Sequence, residues 1–161
     1  MSNVRPRNSS CPEVNIREIT LADIPALFLV RLRTRENALT LEQLRALGIT
    51  PESVATGLKG ETGGWLCEAA TSEVVGFCMA NRRTGELLVI ALRPEYERLG
   101  IGGRLMQQAE NWLAHSGCTR AWLTTDLDPT LRACGFYRHR GWIDWKLERG
   151  LRWMQLALPQ V

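Results

Sequence analysis

Between Leu87 and His115 an unbroken apolar run gives way to a glycine-bearing loop and then to an amphipathic repeat. Leu87-Leu88-Val89-Ile90-Ala91-Leu92 has the composition of a buried strand. Arg93-Pro94-Glu95-Tyr96 interrupts it, and Gly100-Ile101-Gly102-Gly103 leads straight into an apolar stripe at Ile101, Leu105, Ala109, Trp112 and Leu113, the spacing of one helix face. A glycine loop that opens into a helix leaves the first N–H groups of that helix without intrahelical acceptors, at the positive end of its dipole. An anion such as a phosphate suits that place. Gly100, Gly102 and Gly103 would let a pyrophosphate approach backbone amides with no Cβ in between.

Two familiar phosphate loops do not fit these residues. A P-loop needs Gly-Lys-Ser/Thr, but Gly103 is followed by Arg104-Leu105. A dinucleotide fingerprint needs a third small residue where Leu105 stands, and a strand ending at the first glycine, whereas residues 93–99 intervene. The chain of 161 residues is long enough for one domain, expected over residues 14–161, that buries about 68–70% of its unfolded surface. A net charge of +3 gives no basis for nucleic-acid binding. Cysteines at 11, 67, 78, 118 and 134 are odd in number and lack C-x-x-C spacing, so free thiols in a reducing cytoplasm are expected, with no metal site and with Cys67 and Cys78 in the core. Residues 1–13 read as a disordered leader without the apolar segment of a secretory signal. No apolar run approaches the ~18 residues of a membrane span, and no membrane partner is expected.

The rest of the chain alternates helix and strand signals. Val14–Ile19 alternates as a half-buried strand. Thr20 or Asp23 starts a helix expected to run to about Ala38, with Arg31, Arg33 and Arg35 in its last turns. Thr40 and Thr50-Pro51 start two short helices, and Gly60, Gly63 and Gly64 mark a turn. Strands follow at Trp65–Ala70, Val74–Asn81 and Glu86–Leu92, joined by short turns that imply antiparallel pairing. After the central helix come a strand at Ala121–Thr124, a helix from Asp128-Pro129 to His139, and a closing hairpin around Glu148-Arg149-Gly150. Strand, helix, strand implies a right-handed parallel crossover. The sum is an α/β (α+β) domain: a mixed, mostly antiparallel sheet of about seven strands flanked by helices. The six tryptophans are expected mostly in the core.

Glu97-Arg98-Leu99-Gly100-Ile101-Gly102 resembles the acyl-CoA-binding loop of the GNAT superfamily, Gln/Arg-x-x-Gly-x-Gly/Ala. Thr130-x-x-Ala133-x-x-Phe136-Tyr137-x-x-x-Gly141-Trp142 resembles a second segment of that family, Asn-x-x-Ala-x-x-Phe/Leu-Tyr-x-x-x-Gly-Phe. The element order is also the one the family uses. Glu97 and Thr130 depart from its pattern. The resemblance implies an acyl-CoA-dependent N-acetyltransferase acting on an amine, with acetyl-CoA as acyl donor; dimerisation is common in the family, so a homodimer is an open expectation. A CoA-binding regulatory or assembly module without turnover is the alternative reading, since fold does not fix function.

Acyl transfer from a thioester needs a neutral amine, a stabilised oxyanion and a protonated leaving thiolate, but no enzyme nucleophile. The resemblance assigns thiolate protonation to Tyr137, a phenol that keeps its proton at neutral pH. It offers Glu86 as base, with a water chain as the other candidate. It gives the backbone of Ile90 and Leu92 to the thioester carbonyl and pantetheine arm, through a splay of the strand before the loop. Gly100, Ile101, Gly102 and Gly103 would hold the pyrophosphate, with Arg98 and Arg104 adding positive charge. The end of the first helix borders the acceptor pocket in the family resembled; Arg33 and Arg35 there suit a small-molecule or peptide amine bearing a carboxylate, such as an amino acid, with small antibiotics, polyamines and protein termini as the alternatives.

Overall fold

The computed structural model describes residues 13–34 and 39–161. Of the leader expected at residues 1–13, all but Glu13 lies outside them, as do Arg35 and the last residues of the first expected helix. The elements are β1 (Val14–Glu18), α1 (Ile24–Arg31), α2 (Leu41–Ala46), α3 (Pro51–Lys59), β2 (Thr62–Ala69), β3 (Val74–Asn81), β4 (Glu86–Leu92), α4 (Ile101–His115), β5 (Arg120–Asp126), α5 (Arg132–His139), β6 (Ile143–Glu148) and β7 (Leu151–Ala157). Seven strands form one sheet in the order β1-β2-β3-β4-β5-β7-β6, antiparallel except where β4 meets β5. This is the mixed, single-domain sheet that the hydrophobic pattern implies.

Strand alternation divides the interior between the two sheet faces. On one face α4, α5 and Trp142 just past α5 lay Leu105, Met106, Ala109, Leu113, Tyr137 and the Trp142 indole over Val75, Cys78, Leu123 and Met154. On the other, α1 sets Leu27 and Val30 against Leu66, Phe77, Met79 and Ala91, with Val54 and Leu58 of α3 at the margin. Each buried Val, Leu, Phe or Met among them contributes about 1.5–3 kcal/mol by leaving water. Cys67 and Cys78 are fully buried free thiols, as expected. Trp65 and Trp142 are buried, whereas Trp145 lies exposed on β6, edge-on to Trp153 and under the Arg120 guanidinium.

Boundaries shift where side chains override local signals. The first helix ends at Arg31 rather than continuing through residues 32–34; the Thr34 hydroxyl donates to the Arg31 carbonyl at 3.3 Å and satisfies that end. Gly63 and Gly64 are strand residues of β2, not a turn. A Cβ there would stand 2.9 Å from the Trp112 ring or 2.7 Å from the Ile19 side chain, so these glycines let neighbours close onto the strand. The last helix begins at Arg132 rather than at Asp128-Pro129, because Asp128 accepts from the Thr130 N–H at 2.9 Å and hydroxyl at 2.6 Å and holds an Asx turn instead. Arg149 and Gly150, at φ of 54° and 72°, make the tight turn between β6 and β7.

Candidate functional site

β4 and β5 meet at one residue pair, Glu86 with Trp122, closed by the Trp122 N–H donating to the Gly85 carbonyl at 3.1 Å. Beyond that vertex a cleft of about 370 Å³ opens between them, lined from β4 by Leu88, Ile90 and Leu92 and from β5 by Leu123, Thr124 and Thr125. A register shift between Met79 and Ala80 of β3 leaves Leu88 of β4 without a partner, a bulge that turns the strand as it enters the cleft.

The antiparallel ladder fixes which β4 amides face this cleft. The Arg93 N–H donates to the Val75 carbonyl at 2.8 Å, so Ala91 and Val89 are the other β4 residues that bond β3. The alternate residues, Ile90 and Leu92, turn their N–H groups away from β3, toward the gap where β5 has departed. The expected splay therefore exists, and it presents these two amides to the cleft.

The glycine loop forms the cleft's mouth. Gly100 has φ 80° and ψ 1° and is the N-cap of α4. That left-handed turn aims the first-turn N–H groups of Ile101, Gly102 and Gly103 outward. Gly102, Gly103 and Arg98 line the cleft, whereas the Ile101 side chain is buried in the core, leaving only its backbone for a ligand. Arg104 is exposed on the outer side of α4 and does not line the cleft. Glu97 is ion-paired with Arg132 at the start of α5, so this departure from the family pattern ties the loop to the helix across the cleft. An arginine that sequence spacing did not single out, Arg140, places a guanidinium nitrogen 3.3 Å from where a Gly103 Cβ would be.

Tyr137 lines the cleft from α5, packed between the rings of Phe136 and Trp142. Burial pushes its phenol up to about 12, against the opposing pull of Arg31. Glu86 is half-buried at the vertex and does not line the cleft; desolvation raises its carboxyl above the ordinary value. At the end of α1, Arg33 points to solvent, outside the cleft. It is Arg31 and Thr34 that line it. Arg31 prolongs the buried Ile24–Leu27 stripe of α1, and a cation at an apolar position was the signal that could have singled it out. Among the described residues no cluster of His, Cys, Asp or Glu is arranged to hold a metal ion, and no helix is long and apolar enough to cross a membrane.

Comparison with known proteins finds this arrangement, a splayed parallel pair beside a glycine-capped helix start, in structures of N-acetyltransferases. Solved structures with this fold include the PaiA N-acetyltransferase of Thermoplasma acidophilum in complex with coenzyme A (19% identity, TM-score 0.76, covering 90% of this chain and 99% of that one). A ribosomal-protein alanine N-acetyltransferase from Escherichia coli matches at 16% identity and TM-score 0.71 over 92% of this chain and 96% of that one. A SpeG spermidine N-acetyltransferase mutant from Vibrio cholerae matches at 15% identity and TM-score 0.64, over 89% and 93%. No curated protein matches the chain. Residues 32–142 match the acetyltransferase (GNAT) family, and the chain belongs to that family.

Proposed function

We propose that this protein transfers an acetyl group from acetyl-CoA to a primary amine by direct attack within a ternary complex. The observation that carries this reading is one cleft that joins the left-handed Gly100 turn, the inward-facing amides of Ile90 and Leu92, and Tyr137. Acetyl-CoA supplies an acyl group already activated as a thioester, so no protein nucleophile is needed. The N–H groups of Ile101, Gly102 and Gly103 hold its pyrophosphate, with Arg98 and Arg104 adding charge nearby. The Ile90 amide bonds the pantetheine arm. The Leu92 N–H donates to the thioester carbonyl, where negative charge grows during attack. Tyr137 donates its proton to the departing sulfur. Glu86, outside the cleft lining, takes the amine's proton through water. Its raised carboxyl makes it a better acceptor at neutral pH than a fully solvated one. The free thiols of Cys67, Cys78, Cys118 and Cys134 suit a reducing compartment such as the cytoplasm.

Thiol release from acetyl-CoA, followed across a panel of amino acids, peptides and polyamines, tests this reading. Amine-dependent release from at least one class is expected. CoA binding by calorimetry combined with silence across the panel would instead favour the non-catalytic module.

A further inference from the structure

The cleft has a second end. It runs between the splayed strands from the glycine loop to the face of the sheet covered by α1, where Arg31 and Thr34 line it. Arg31 is held there by its position on α1: the preceding turns, Ile24, Leu27 and Val30, are buried against the sheet, so the guanidinium is half-buried too. No carboxylate among the described residues acts on it. Burial pulls the guanidinium below its ordinary value, against the opposing pull of Tyr137. It stays charged regardless. A cation withdrawn from water without a counter-ion is costly, and an incoming anion removes that cost.

The remaining charges on the cleft wall point the same way. Among the described residues they are Arg98, Arg132 and Glu97, and Glu97 is paired with Arg132. A polycationic acceptor would find no uncommitted carboxylate on this wall.

We propose that Arg31 binds the carboxylate of the acceptor, and that the acceptor is an amino acid or a similarly small amine carrying a carboxylate. This rests on the acetyl-transfer reading. Arg31 and Tyr137 line the same cleft. A carboxylate on Arg31 therefore keeps the amine of the same small molecule inside the cleft that Leu92 and Tyr137 also line. The guanidinium can take both carboxylate oxygens at once, which fixes orientation as well as charge.

The test compares initial rates on L-amino acids with rates on their carboxamides and on spermidine, in the unaltered protein, Arg31→Gln and Arg31→Lys. Acids should exceed amides by about ten- to a hundred-fold in kcat/KM, the range of a charge-assisted hydrogen-bonded pair. Arg31→Gln should abolish that preference through KM while CoA affinity, read by calorimetry, is unchanged; Arg31→Lys should restore part of it. Amides or spermidine serving as well as acids would overturn the assignment while leaving acetyl transfer intact. A preference that survives in Arg31→Gln would do the same. Silence on every amine would remove both. The acid–amide comparison in the unaltered protein needs no variant to fold.

Discussion

Burial at Tyr137 works against ionisation and keeps the phenol protonated, the form from which a proton donor must start. The phenol's ordinary value near 10 is raised to about 12 in the folded chain. The folded state thus prefers the neutral form. Its contribution to stability is complete below pH ~10 and disappears as pH rises through about 12. Over the working range Tyr137 keeps its proton and imposes no alkaline limb of its own. Tyr137→Phe should lower kcat by about 10²-fold, the low end for a lost general acid, with CoA affinity unchanged in calorimetry. An unaltered kcat would remove Tyr137 from proton transfer. Tyr137 could be singled out because its neighbours Phe136, Gly141 and Trp142 form a recognisable segment, and the fold sets it on the cleft wall. Arg31 was not, because a run of arginines at a helix end reads as one solvated face. The burial of Leu27 and Val30 sets Arg31 on the inner side while Arg33 faces water.

The glycine turn and the helix it opens behave as one element. β3, β4 and α4 run over the residues that their hydrophobic periods imply. β2 starts earlier and α5 later than local signals suggest, because distant groups decide those ends: Trp112 and Ile19 for Gly63 and Gly64, and the Asp128 Asx turn for α5. The splay could not be read from sequence, since it is the absence of pairing between β4 and β5. Gly100 could be. A Cβ at Gly100 would meet nothing within 4 Å, so the cost of a side chain there is conformational alone. Gly100→Ala at φ 80° should lose about 1–2 kcal/mol, lowering Tm by about 2–8 °C. Because the strain falls on the turn that aims the α4 amides, the Kd for CoA should weaken as well. A loss of stability with CoA binding unchanged would mean that these amides do not hold the pyrophosphate.

Opening a cleft through the middle of a sheet divides the molecule into halves, β1–β4 and β5–β7, with one residue pair between them. Ladder hydrogen bonds are missing where the chemistry is proposed, so other contacts must hold the halves in register. α4 does this on one face, packing on β2, β3 and β4 and also on β5. Its one buried charge makes the tie specific. Glu110 accepts from Arg140 at 2.8 Å and from the Trp142 Nε1–H at 3.1 Å, residues just past α5 in the β5–β7 half. Glu110→Ala would leave the Trp142 N–H and the Arg140 guanidinium, whose Nε already lacks a partner among the described residues, buried without this acceptor. Breaking a buried pair from one side costs about 3–5 kcal/mol, so Tm should fall by about 6–20 °C. Glu110→Gln, which keeps an oxygen for Trp142, should lose less. If Glu110 holds the halves in register and is not merely a source of stability, the folded Glu110→Gln protein should also show a raised KM for acetyl-CoA. Its cleft walls, Ile90 and Leu92 on one side and Tyr137 on the other, belong to the two halves that Glu110 joins. A loss of less than about 1 kcal/mol in Glu110→Ala, within the range of a surface ion pair, would leave the apolar stripe of α4 as the sole tie across the cleft.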